Sequence, residues 1–188
     1  MHRTKDVEMQ TESKLLLDDL RERTAANILA VEELIKLPLE KLQQKKNPES
    51  WNALECMAHL NRYGDFYLPE IEARLNAAKN SNPQPIFKSG WLGNKFALMM
   101  LPGAKGMSTF KVMNTLDSAC NMADLSEFLN QQHKVLALLK RCESSNLNKI
   151  KTSISISKLI KLKLGDTLRV VIYHNQRHIL QAQKATDF

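Results

Sequence analysis

Between Trp51 and Lys79, the residues Leu54, Met57, Asn61, Gly64, Leu68, Ile71 and Leu75 follow one another at steps of three and four. That period lays them along one stripe of a helix, close to a coiled-coil seam, and such a stripe needs other helices to cover it. Three further segments have helical periodicity. From Val7 to Leu37 it runs through Leu17, Leu20, Thr24, Ile28, Val31 and Ile35 and stops at Pro38, whose ring and missing N–H end a helix. From Leu116 to Ser144, with a break expected near Asp124, a third helix buries Leu125, Phe128, Leu129, Leu136 and Leu139. A fourth runs from Thr167 to Lys184, with Asp166 after Gly165 as its N-cap. The second helix starts either at Asn47 with Pro48 or at Ser50 before Trp51, and Pro69 predicts a kink within it.

The segments between these helices are less regular. From Asn80 to Gly106, the residues Pro83, Pro85, Gly90, Gly93, Pro102 and Gly103 mark a long connection or lid, in which WLGNKFALMML forms one short amphipathic helix. Its methionines could cover a pocket, pair two subunits or touch a membrane surface; packing against the bundle is preferred. The alternation in ISISKLIKLKL suits a strand, but a lone strand has no partner, so it reads as an extended connection or a short turn of helix. Four amphipathic helices without a strand pair give an all-α four-helix bundle, a single domain over residues 1–188 with a long connection, 80–107, between helices 2 and 3.

The cysteines Cys56, Cys120 and Cys142 form no CxxC pair, which argues against a disulfide framework or a zinc ribbon. The N-terminal MHRTKDVEMQTESK lacks the apolar run of a signal peptide, and no apolar stretch reaches membrane-span length, so a cytoplasmic protein is expected. The net charge of +7 admits nucleic acid, anionic lipid or acidic small molecules. Five lysines lie between Lys149 and Lys163 without aromatic residues among them. Nucleic-acid platforms add stacking rings to their cations, so a solvated basic loop is the preferred reading there.

Chemistry concentrates in the histidines. His174 and His178 are four apart on one helical face, so their rings can share a metal ion, and Gln181 continues that face, either as packing or to orient a ligand or water. Helix 2 carries Glu55, His59 and Arg62 at helical spacing, which suits either a surface polar stripe or interior groups that need partners. Glu55, one turn before His59, is the candidate proton shuttle or a hydrogen-bond partner that supports the site, with a surface pair with His59 or Arg62 as its alternative. Arg177 suits an interhelical salt bridge or, less readily, an anchor for an anionic substrate. Cys56, three residues before His59, could close a Cys and three-His site, but a buried core thiol is preferred. His133, among Gln131, Gln132 and Lys134, is expected to be exposed, and His2 to belong to a terminal tail.

The segments SWNALECMAHL and LGDTLRVVIYHNQRHILQAQ together resemble the two signature segments of the DinB-like superfamily. In that family a Trp-initiated helix carries one metal-ligand His followed by Leu, and the last helix carries two more in the pattern HxxRHxxQ. Matched residue by residue, the implied ligands are His59, His174 and His178. The order and spacing of all four helices agree with the family; the stretch from Asn80 to Ser118 matches none of its motifs.

The resemblance implies one divalent ion, zinc or nickel first, with iron or manganese admitted. Three neutral imidazoles leave the ion's charge uncompensated, so it acidifies a water to a pKa of roughly 7 or draws a thiol as thiolate. Relatives include thiol-dependent transferases, isomerases and metal-dependent hydrolases. The expected partners are therefore a small-molecule substrate, including a low-molecular-weight thiol, and a second copy of the chain in a homodimer. The alternatives are a non-catalytic, metal-stapled scaffold or stress-response protein and, last, a basic nucleic-acid binder.

Overall fold

A stretch of buried polar side chains crosses all four long helices at one level and divides the core into two apolar clusters. The computed structural model describes residues 9–78, 81–105 and 108–187. Strand β1 (Gln10–Glu12) leads into α1 (Ser13–Ile35); a short α2 (Leu39–Leu42) precedes α3 (Ala53–Ala77). Strand β2 (Ile86–Lys88) and α4 (Trp91–Met100) follow, then a 3-10 turn at Lys111–Met113 and α5 (Met122–Cys142). Strands β3 (Lys151–Ile154) and β4 (Ser157–Lys163) run directly into α6 (Leu164–Ala185). Helices α1 and α3 each pack on both α5 and α6, and α4 lies against α6.

One cluster gathers Leu20, Ile71, Leu139, Leu164 and Ile172 with Phe87 of β2. The other gathers Val31, Leu54, Met57, Leu125, Phe128 and Ile179. Between them, on the same four helices, Thr24, Asn27, His59, Asn61, Gln131, Gln132, His174 and Asn175 are all buried. Buried polar groups need partners. Here Asn175 Nδ2 donates to Gln132 Oε1 at 3.2 Å, and Gln131 Nε2 donates to the Asn61 carbonyl at 3.3 Å and Asp65 Oδ1 at 2.9 Å. Gly64 makes room for Gln131: a Cβ there would meet Gln131 Oε1 at 1.8 Å.

The helical architecture agrees with the sequence, and several boundaries are corrected. Helix α3 starts later than Asn47 or Ser50, because Asn52 is its cap: Asn52 Oδ1 accepts from Glu55 N at 2.8 Å and Glu55 Oε2 accepts from Asn52 N at 2.9 Å, a reciprocal capping box. The helix continues unbroken through Pro69. Asp124 does not break the third long helix but begins it, through the same box with Asn121. Among the residues placed in the first helix, Gln10–Glu12 instead pair antiparallel with Ile86–Lys88, and Val7 lies outside the described residues. The last helix begins at Leu164, so Asp166 sits inside its first turn rather than capping it.

The segment read as an extended connection or helical turn is a β-hairpin. Its partner strand is supplied by the residues just before it: Lys151 pairs with Lys163, Thr152 with Leu162 and Ser153 with Lys161. Thr152, Ser153, Ile154 and Leu162 are buried, and Thr152 bonds to the Thr167 hydroxyl at 2.6 Å, fixing the hairpin on α6. Among the described residues no helix is long and apolar enough to cross a membrane.

Candidate metal centre

The capping box sets the phase of α3 so that His59, in its second turn, points into the bundle with 2% of its surface exposed. On α6, one helical turn separates His174 from His178, and both rings lie edge-on to His59, at 5.1 and 4.6 Å between centroids. The ligand nitrogens of all three lie within 4.8 Å of one another. Three residues from two helices, His174 being 115 positions beyond His59 and His178 one turn further on, therefore converge on one point.

Their donor chemistry fits a metal ion. The Met113 carbonyl can only accept, so His59 Nδ1, 2.7 Å away, carries the proton and His59 Nε2 keeps its lone pair. His178 Nδ1 likewise donates to Gln181 Oε1 at 2.9 Å, leaving Nε2 as its lone-pair nitrogen. Such outer hydrogen bonds to ligating imidazoles fix ring orientation and raise basicity. His59 Nε2 faces His174 Nε2 at 3.3 Å. Two imidazole nitrogens on a tetrahedral zinc, each about 2.0–2.1 Å from the ion, stand about 3.4 Å apart.

Electrostatics act in the same direction. Burial pushes His59 down to about 4 against the opposing bond to Met113, and pushes His178 down to about 3, with His59 adding to the effect. His174 is lowered well below the usual imidazole range by burial and by both neighbouring rings. All three are neutral at pH 7 and present lone pairs rather than charge. A divalent ion satisfies these converging acceptors.

The side wall is aromatic. Trp51 lies 4.5 Å from His59 and 5.6 Å from His178, and its indole N–H donates to Asn114 Oδ1 at 3.2 Å. Tyr63 meets His174 edge-on at 4.6 Å, and burial raises its hydroxyl to about 12. The cluster opens on a cavity of about 560 Å³.

Of the residues singled out from the sequence, His59, His174, His178 and Gln181 come together. Glu55 is engaged elsewhere. Besides the capping bond, its Oε1 accepts from Asp117 N at 2.6 Å and from Lys45 Nζ at 3.0 Å, and its carbonyl accepts from the Thr115 hydroxyl at 2.7 Å. Glu55 is thus tied to the loop that carries Met113. Arg62 holds the same loop by donating to the carbonyls of Val112 and Asn114 at 3.1 and 2.9 Å. Among the described residues Arg177 has no interhelical salt bridge; its guanidinium donates to the Met99 carbonyl at 3.1 Å, at the end of α4, and its side chain borders the cavity. Cys56 is fully buried among the apolar residues of the second cluster, its thiol pushed up by burial, and takes no part in the histidine group. His133 is exposed, and His2 lies outside the described residues.

Sequence reasoning missed Trp51 and Tyr63 as walls of the site and the Met113 carbonyl as its hydrogen-bond acceptor. The two aromatics were detectable, since each lies four residues or two turns from His59 on or beside the same helix. The carbonyl was not, because a backbone group in an irregular loop leaves no residue signature.

A helical bundle that brings three neutral histidines from two facing helices together at its polar layer is built as bundle metal sites are, and the group could hold a metal ion. The chain belongs to the DinB superfamily, whose family model matches residues 12–182, a span that includes all three histidines. Comparison with the curated proteins and with the solved structures finds no match.

Proposed function

We propose that this protein is a metal-dependent enzyme acting on a small molecule at the three-histidine cluster, as a thiol-dependent transferase or a hydrolase. The observation that carries this reading is the cavity of about 560 Å³ onto which the cluster opens, since structural metal sites are closed by their own protein ligands whereas catalytic ones keep a position free. Imidazole ligands suit zinc or nickel first, and also iron or manganese. When bound, the ion supplies Lewis acidity to a water or thiol brought to it.

The chain's own residues do the rest. Met113 and Gln181 hold His59 and His178 in the tautomer that aims Nε2 at the common point. Trp51 and Tyr63 exclude water from one side, and Tyr63, raised to about 12, remains a protonated donor at neutral pH. Arg177 adds positive charge beside the cluster. A low-molecular-weight thiol as co-substrate and a homodimeric assembly follow from the family resemblance and belong to the same proposal.

Elemental analysis of protein isolated without an affinity tag tests it, followed by assays of thiol conjugation and of ester or amide hydrolysis. About one ion per chain is expected, and His174→Ala is expected to lose both ion and turnover. A full complement of metal with no turnover in either assay leaves the ion as a staple between α3 and α6, the non-catalytic alternative.

A further inference from the structure

The cavity does not end at the histidines. Along α6 its wall continues from His178 through His174 to Val171 and Val170, and along α3 from His59 through Tyr63 to Tyr67. Each path covers eight residues, about 12 Å at 1.5 Å per residue. The helices are antiparallel here, since His59 meets His178 while Tyr63, one turn on, meets His174. The cavity is therefore a groove between α3 and α6, with the metal-type cluster at one end.

Its far end is apolar and covered from two sides. Phe96 and Met100 of α4, packed against the same apolar cluster, close it from above, and Ile154 and Leu162 of the β3–β4 hairpin close the end beside Val171. The Tyr67 hydroxyl is engaged, accepting from Ser155 N at 3.3 Å, and both residues line this end of the groove. The near end is the opposite in character. Arg177 borders it, and among the described lining residues the one carboxylate is Glu49, exposed at the rim.

From this division we infer that the site selects small molecules with an anionic head and an unbranched or slim apolar arm: the head sits at the histidine cluster and Arg177, and the arm lies in the groove under α4. The head's placement rests on the metal reading proposed above, whereas the arm's placement rests on the groove alone. Met100 and Val171 are the specificity-determining residues for the arm.

Straight-chain carboxylates (butanoate, hexanoate and octanoate) serve as probes, titrated into zinc-loaded and metal-stripped protein while methionine methyl resonances are followed by NMR. Full burial of a methylene is worth about fourfold in affinity, so a gain of roughly two- to fourfold per added methylene is expected in both forms. The shift of Met100 should grow with chain length. Met100→Glu should weaken octanoate at least about tenfold while leaving butanoate within about twofold; if that variant melts early, Val171→Phe, which fills the groove with an apolar ring, should do the same. An affinity independent of chain length, or shifts confined to other methionines, overturns the inference. A chain-length gain that persists while butanoate binding ignores zinc keeps the arm and sinks the metal reading instead.

Discussion

His59 Nε2 and His174 Nε2 face each other across 3.3 Å although 115 residues separate them in the chain. With His59 protonated on Nδ1 by its bond to the Met113 carbonyl, the facing nitrogen offers a lone pair, and a cation shared with His174 turns that contact from a cost into an attraction. Metal binding therefore stabilises the fold, because the unfolded chain does not hold the three rings together. Zinc at about one hundred times its dissociation constant contributes about 2.7 kcal/mol, or a rise of about 5–10 °C in Tm for a chain of this size. Differential scanning calorimetry with and without a chelator measures it. His174→Ala should abolish the zinc-dependent shift; a shift that survives the substitution would place the ion elsewhere.

Without metal, the same histidines make the protein acid-sensitive. Their folded-state values, about 4 for His59, about 3 for His178 and well below the usual range for His174, lie under the unfolded imidazole value of 6.5. Between these limits the unfolded chain takes up protons that the folded one refuses, so acid favours unfolding. The stability is fully present above pH 6.5 and falls as the pH drops toward 3, by up to about 1.4 kcal/mol per pH unit for each histidine. Urea titrations of metal-stripped protein at pH 7.5, 6 and 5 read the slope. His178→Asn should flatten it, and an unchanged slope in that variant would mean that other groups set the acid limit.

Glu55 acts on the site at one remove. Its carboxylate caps α3 and accepts from Asp117 N, while its carbonyl accepts from Thr115, so it holds both ends of the turn that follows Met113. Glu55→Ala leaves two backbone N–H groups unpaired and should cost about 2–4 kcal/mol. It should also release the Met113 carbonyl from His59 and weaken zinc about tenfold, the low end for loss of an outer hydrogen-bond partner. Glutamine still completes a capping box, so Glu55→Gln should recover much of the stability. Competition with a chromogenic chelator gives the affinity; a zinc affinity untouched by alanine would make Glu55 a cap and nothing more.

The three clustered histidines were legible in the sequence because each sits on a strongly periodic helix, where a spacing of four fixes a shared face regardless of packing detail. The polar layer was half legible: Asn61 and Gly64 already lay on the seam of α3, but only packing reveals that Gly64 is small to admit Gln131. The hairpin was hidden because its turn, Ser155–Ile156, carries neither Gly nor Asn, the residues that announce a tight reversal. The start of α6 was misplaced for a related reason. Gly165 and Asp166 look like punctuation, yet Gly165 is small because a Cβ would strike the Phe87 ring at 2.5 Å, and Asp166 faces another segment instead of its own helix end.

That aspartate anchors the groove's cover. Asp166 and Arg169 form an ion pair at 3.4 Å with 0% and 3% of their side chains exposed. Asp166 also accepts from the Ser89 hydroxyl and from Gly90 N, and Arg169 donates to Ser89 Oγ at 3.1 Å and Asn94 Oδ1 at 3.0 Å, so the pair bolts the β2–α4 corner onto α6. Removing one partner strands the other charge in the interior, and Asp166→Asn should cost about 3–5 kcal/mol in chemical denaturation. Gly93→Ala tests the same joint from the opposite side, because its new Cβ would lie 2.3 Å from Asp166 Oδ2 and displace the carboxylate. Both variants should speed hydrogen exchange across residues 91–100, where Phe96, Met99 and Met100 cover the cavity, and leave α5 protected. If exchange accelerates evenly through the bundle, the pair supports the whole fold and has no special hold on α4.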